Sequence, residues 1–255
     1  MSDILKVENV TLQFGGVKAI TDISFNVKEG EICAVIGPNG AGKSSMLNVI
    51  NGVYLPQIGT VTYDGVARRS IHPRDAAIAG MARTFQNIAL FQGMTVLENI
   101  MTGRNLFMKS TWLEQGLNIG RAREEERQNR LAVEKVIKFL QIESIRKTPV
   151  AKLPYGLQKR VELGRALVAE PKILLLDEPM AGMNLEEKAD MSCFILEINK
   201  EQGITTVMIE HDMGVVMDIS DHVVVLDYGK KIGDGSPKEV MANQDVIDAY
   251  LGVSH

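Results

Sequence analysis

Apolar and polar positions alternate along residues 4 to 30, with Leu5, Val7, Val10 and Leu12 followed by Ile23, Phe25 and Val27. A period of two turns one face of each run to a core and the other to water, so this stretch predicts antiparallel strands with a turn at Gly15 and Gly16. Ile32 to Ile36 is apolar throughout, which predicts a strand covered on both faces, and it runs into a glycine-rich turn and a helix from about Lys43 to Asn51. Gly59 to Tyr63 predicts another sheet segment with Asp64 and Gly65 as its turn. Between 95 and 147 the apolar residues fall at helical spacing, and the mixed charges from Arg121 to Lys147 mark a solvated helix face. From Leu153 the pattern predicts a helix (about Gln158 to Ala169), a buried strand (Ile173 to Leu176), a helix (about Leu185 to Gln202), a strand (Thr205 to Ile209) and a final strand (Val223 to Tyr228).

Buried strands alternating with helices place the chain in the α/β class, with a parallel sheet covered on both faces. No repeat and no low-complexity linker interrupts the 255 residues, so the helical stretch is expected to be an insertion into one fold and not an independent domain.

Composition changes this picture by exclusion. Hydrophobic residues at 45% and charged residues at 24% are globular proportions and exclude a disordered chain. No apolar run approaches the roughly 20 residues that span a bilayer, and MSDILKVENV lacks the basic flank and apolar stretch of a targeting segment. With only Cys33 and Cys193, both expected to be inert core thiols, this points to a reducing cytosol. A net charge of −4 argues against a non-specific nucleic-acid binder.

Two segments carry chemistry. Gly37-Pro38-Asn39-Gly40-Ala41-Gly42-Lys43-Ser44 has two glycines five apart followed by Lys and Ser, placed between a buried strand and a helix. There the glycines let backbone N–H groups turn in around a phosphate, the helix N-terminus adds a favourable dipole, Lys43 reaches the β- and γ-phosphates and Ser44 offers its hydroxyl to Mg²⁺. Ile173 to Leu176 ends in Asp177 and Glu178. The carboxyl ends of parallel strands are where ligands bind, so Asp177 suits the outer shell of Mg²⁺ and Glu178 a general base that polarises water.

With these motifs placed, the chain resembles the ATP-binding-cassette transporter ATPases along almost its whole length. The resemblance implies a P-loop NTPase with an N-terminal antiparallel β subdomain, a parallel-sheet core and a helical subdomain at roughly 88–165, all in one domain over 1–255. It implies ATP and Mg²⁺ as ligands, with Ser45 also on the phosphates. Gln86, in Arg83-Thr84-Phe85-Gln86-Asn87, is similar to the family's glutamine loop, whose amide meets Mg²⁺ and the attacking water and whose flanks face the membrane subunit. His211 follows a strand as the switch histidine does and would contact the γ-phosphate, whereas His72, His222 and His255 carry a structural expectation. Phe14 lies where the family places an aromatic against adenine, and as a strand residue would equally fill the core.

The signature segment departs from the family's usual Leu-Ser-Gly-Gly-Gln, reading Leu153-Pro154-Tyr155-Gly156-Leu157. Pro154 removes a hydroxyl and a backbone N–H, leaving Gly156 and the following helix N-terminus as phosphate donors, so weaker closure of the ATP-bound dimer is expected. Asn184 stands where an aspartate is common. With Gly93 to Asn99 and the ending Asp245 to Gly252, it makes the chain similar to one ATPase of branched-chain amino acid importers. By that resemblance Gly156 acts in trans, in a head-to-tail dimer with an identical or paralogous ATPase. Two multispanning permeases and, indirectly, an extracytoplasmic solute-binding protein are the other partners, at the cytoplasmic face of the cell membrane. Cassettes for urea, amides, aromatic acids or lipopolysaccharide export are the alternatives within the family. A soluble cassette acting on nucleic acid is disfavoured because those chains carry two cassettes or long coiled coils.

Overall fold

The computed structural model describes residues 2–68, 73–107 and 121–251. His72, His255 and the stretch 108–120 of the expected helical region lie outside them. Four antiparallel strands, β1 (Asp3–Phe14), β2 (Val17–Lys28), β4 (Ile58–Tyr63) and β5 (Val66–Arg68), form one sheet in the order β2-β1-β4-β5. Both expected turns are present, and Asp64 and Gly65 have φ of 49° and 73°, the two positive values that a tight hairpin needs.

The second sheet has the order β10-β9-β3-β8-β7-β6. It joins β3 (Ile32–Ile36), β6 (Met81–Arg83), β7 (Ile173–Asp177), β8 (Thr205–Ile209), β9 (His222–Asp227) and β10 (Lys230–Gly235). Only β10 is antiparallel to its neighbour. The uninterrupted apolar runs follow from its position between two cores. Ile32, Ala34, Ile36, Leu174 and Leu176 face the helical side, while Cys33, Val35, Ile173 and Leu175 face the antiparallel sheet and α1 (Lys43–Ile50).

The helical side is built by α3 (Val96–Met101), α4 (Arg121–Phe139), α5 (Tyr155–Leu167) and α6 (Leu185–Gln202). Val96, Ile100, Val133, Ile137, Val161 and Ile195 share one core with the strands, while Glu124 and Arg127 of α4 pair on its solvated face. Shorter helices complete the chain: α2 (Pro73–Ile78), α7 (Met213–Ile219), α8 (Pro237–Met241) and α9 (Gln244–Leu251).

Three expectations need correction, and one strand, β6, has no counterpart in the hydrophobic pattern. The strand ending near Tyr228 is not the last element, because β10, α8 and α9 follow; β10 is polar on its exposed face and escapes a hydrophobic pattern. The three-residue β6 is too short for any period to register. Helix α5 begins at Tyr155, three residues early, with Pro154 as its N-cap at φ −54°, a value proline supplies without strain. Cys193 is exposed: Met191, Phe194, Ile195 and Ile198 form the buried stripe of α6, and 193 falls on the opposite side.

Candidate functional site

The site lies along the carboxyl edge of four adjacent strands. β3 delivers the glycine-rich loop, β7 the acidic pair, β8 Glu210 and His211, and β6 the glutamine segment. In the loop, Gly37 and Gly42 have φ of 147° and 98°, and an added Cβ would lie 2.0 Å from the Leu226 carbonyl oxygen and 2.5 Å from that of Ala19. No other residue type fits there. The first i→i−4 bond of α1 runs from the Met46 N–H to Gly42, so the N–H groups of Lys43, Ser44 and Ser45 stand at the helix N-terminus as donors. Pro38, Asn39, Gly40 and Ala41 complete the loop, and the Ala41 N–H closes a turn on Pro38 at 3.2 Å. The buried Lys43 ammonium donates to the Gly37 and Pro38 carbonyls at 2.8 and 2.9 Å. Burial pulls its pKa down, against the raising effect of the Glu178 and Asp177 carboxylates nearby.

Asp177 is buried and ion-paired through Oδ2 to Arg83 at 2.9 Å, and Arg83 also donates to Asn48 at 2.6 Å. Its second oxygen, Oδ1, is buried with no protein partner. A desolvated, acceptor-only oxygen beside the Ser44 segment is what a divalent cation's shell needs, so these residues fit Mg²⁺. Glu178 follows with φ 51°, an uncommon backbone state for a residue with a side chain. Its N–H donates to Ile209, and its carboxylate lies between His211 Nε2 at 2.7 Å and Gln86 Nε2 at 3.1 Å. Glu210 braces this corner from below: its carboxylate accepts from the N–H groups of Met180 and His211 at 2.9 and 3.1 Å, and burial pushes its pKa up.

The glutamine segment is gripped from α5. Glu162 Oε1 accepts from the N–H groups of Phe85 and Ala89, and Lys159 donates to the carbonyls of Phe85 and Gln86. At the start of the same helix, Gln158 makes the first i→i−4 bond, to Pro154, so the N–H groups of Tyr155, Gly156 and Leu157 are helix N-terminal donors. Gly156 is covered by the Glu187 carboxylate, whose Oε1 lies 2.3 Å from where a Cβ would stand, and Tyr155 packs over Gly182. Glu187 also closes a capping box with Asn184, the N-cap of α6.

The structure thus brings Lys43, Ser44, Asp177, Glu178, Gln86 and His211 to one sheet edge. Phe14 is not in the core: it is 45% exposed at the end of β1, edge-to-face with Tyr54 at 4.9 Å between centroids. His222 has a structural place, ion-paired to Asp234 and Glu31 on the far side of the sheet. Sequence reasoning missed Arg83, Lys159, Glu162 and Glu210. The one available signal was charged residues at apolar positions, Arg83 ending β6 and Lys159 and Glu162 seven and four residues before Ala166 on the buried face of α5.

A family model described as ABC transporter matches residues 20–181, and one described as branched-chain amino acid ATP-binding cassette transporter matches 230–255. The chain belongs to the ABC transporter ATPase family. It is 36% identical over 249 residues to the high-affinity branched-chain amino acid transport ATP-binding protein BraF of Pseudomonas aeruginosa, covering 98% of each chain. It is 35% identical over 257 residues to LivG, the protein of the same description from Escherichia coli K12, again over 98% of each. Among solved structures it is similar to a nucleotide-free ATP-binding cassette from an ABC transporter, at TM-score 0.85 and 31% identity over 98% of this chain and 99% of that one. A cassette in its ADP conformation matches at TM-score 0.85 and 32% identity over 99% and 100%.

Proposed function

We propose that the protein is the ATP-hydrolysing, energy-coupling subunit of an importer for branched-chain amino acids. The observation that carries the hydrolytic part is the Glu178 carboxylate, held between Gln86 and His211 beside the Lys43 loop. The triphosphate of ATP lies on the loop amides from Gly37 to Ser45, with Phe14 toward the base. Lys43 exchanges the Gly37 and Pro38 carbonyls for phosphate oxygens. Glu178 takes the proton of a water aligned by Gln86, His211 contacts the γ-phosphate, and the in-line displacement proceeds by positioning and charge neutralisation. Ser44, Gln86 and Asp177 Oδ1 would hold Mg²⁺, which supplies positive charge against the phosphates.

A second cassette completes each site, its Gly156 and helix N-terminus facing the phosphate across a head-to-tail dimer. Beside the glutamine segment, Phe85, Phe91 and Leu106 are exposed on a groove of about 460 Å³ that Gly103 and Arg165 help to line. This groove suits a helix of a permease subunit and supports the reading that the chain docks at the cytoplasmic face of the membrane. Among the described residues no helix is long and apolar enough to cross it. The cargo assignment is supported by the C-terminal family match and by the relatives' names.

The test is purification of the chain with the permeases, second ATPase and binding protein encoded beside it, followed by ATPase assays. Leucine, isoleucine or valine with the binding protein should stimulate hydrolysis several-fold. Stimulation by urea or an aromatic acid alone would reassign the cargo, and a chain that binds no permease and whose hydrolysis no solute and binding protein alter would sink the transport reading.

A further inference from the structure

We propose that Lys159 is a positioning residue that ties both the glutamine segment and the Glu178 peptide to the signature helix α5, making the hydrolytic centre's geometry depend on where that helix sits. This rests on the nucleotide-site reading above and adds a residue to it. Lys159 is 3% exposed, and a buried ammonium is costly unless its three donors find acceptors. They find the carbonyls of Gln86 at 3.0 Å, Phe85 at 3.3 Å and Glu178 at 3.4 Å. Glu162, the carboxylate one turn along the helix, lies farther away at 3.8 Å. The ammonium therefore points into backbone supplied by two other elements, which a simple ion pair within a helix would not require.

Glu162 supplies the complementary half, accepting from Phe85 and Ala89 at 3.3 and 3.5 Å. One face of α5 thus holds residues 85–89 through donors and acceptors together. The strained Glu178 peptide is held at both ends, its N–H by Ile209 at 3.0 Å and its carbonyl by Lys159. The N-terminus of this same helix is the part offered to the partner's ATP. A shift of α5 on dimer closure is consequently passed to Gln86 and Glu178 through one side chain, with no contact between Lys159 and the nucleotide.

The experiment compares wild type, Lys159→Met and Lys159→Arg in the assembled transporter. It reads kcat and KM for ATP, the Kd of a fluorescent ATP analogue, and amide hydrogen exchange of residues 85–89. Displacing a group at a reacting centre costs about ten- to a hundredfold in rate, so Lys159→Met should lose that much kcat. Its KM and Kd should stay within about threefold, the pattern of a group acting only on the transition state. Exchange at 85–89 should quicken, and Lys159→Arg, which keeps donors, should recover most of the loss. Unchanged kcat in Lys159→Met, a Kd that rises in step with the loss, or no recovery in Lys159→Arg would each overturn the proposal. Should Lys159→Met fail to fold, Lys159→Gln replaces it, and kcat must then fall in the order wild type, Arg, Gln at constant Kd. If wild type bound no ATP analogue, the nucleotide-site reading itself would fail. If wild type hydrolyses ATP and Lys159→Met equals it, only the Lys159 assignment falls.

Discussion

Arg83 shows how one side chain shapes the acidic centre. Its guanidinium occupies Asp177 Oδ2 and Asn48, which leaves Oδ1 as the open acceptor. Removing one member of a buried ion pair strands the other, at a cost of about 3–5 kcal/mol. Arg83→Met should lower urea-unfolding stability by that amount, and a loss below about 1 kcal/mol would show that Asp177 finds another partner. His222 is the opposite case, far from the site. Asp234, then Cys33 and Glu31, hold its pKa up to about 12 from an ordinary 6.5, with Lys231 also on Asp234. A raised folded pKa gives stability that is complete below about 6.5 and is lost as pH climbs toward 12. Thermal melts should therefore show His222→Gln costing more at pH 6 than at pH 10; equal costs would contradict the ion-pair account. Lys43, Asp177 and Glu178 were legible because motif spacing is local, and Gln86 and His211 through the family resemblance. Arg83 and Lys159 were not, because their partners lie 35 to 94 and 19 to 74 residues away, and only packing brings them together.

At the scale of elements, periodicity identified the long strands and helices and missed what lacks a period. β6 has three residues and β10 a polar face, whereas β3 and residues 173–176 of β7 are apolar throughout because both faces meet a core. Helix starts depended on chemistry that a hydrophobic pattern does not register. α6 starts on a reciprocal Asn184 and Glu187 cap, and Asn184→Ala should cost about 1 kcal/mol in chemical denaturation. α5 starts on Pro154 with no side-chain cap. Pro154→Ser should add one, raising stability by about 1 kcal/mol and strengthening ATP-driven dimerisation in sedimentation experiments. Unchanged dimerisation would mean that the proline does not weaken closure.

For the whole molecule, the sheet's carboxyl edge gathers the phosphate loop, the acidic pair, the glutamine segment and the histidine, while α5, which begins at Tyr155, carries a grip on that edge. In the proposed mechanism one chain holds the hydrolytic groups and a second cassette completes the site. The groove proposed for a permease helix lies next to the segment that Lys159 and Glu162 hold. Everything in the proposed mechanism turns on Glu178 as the base of ATP hydrolysis. Single-turnover phosphate release from Glu178→Gln, with bound ATP measured in parallel, tests it most directly. Glu178→Gln should retain ATP uncleaved in a dimer, with phosphate release slowed by about a hundredfold or more; release at the wild-type rate would rule out Glu178 as the base.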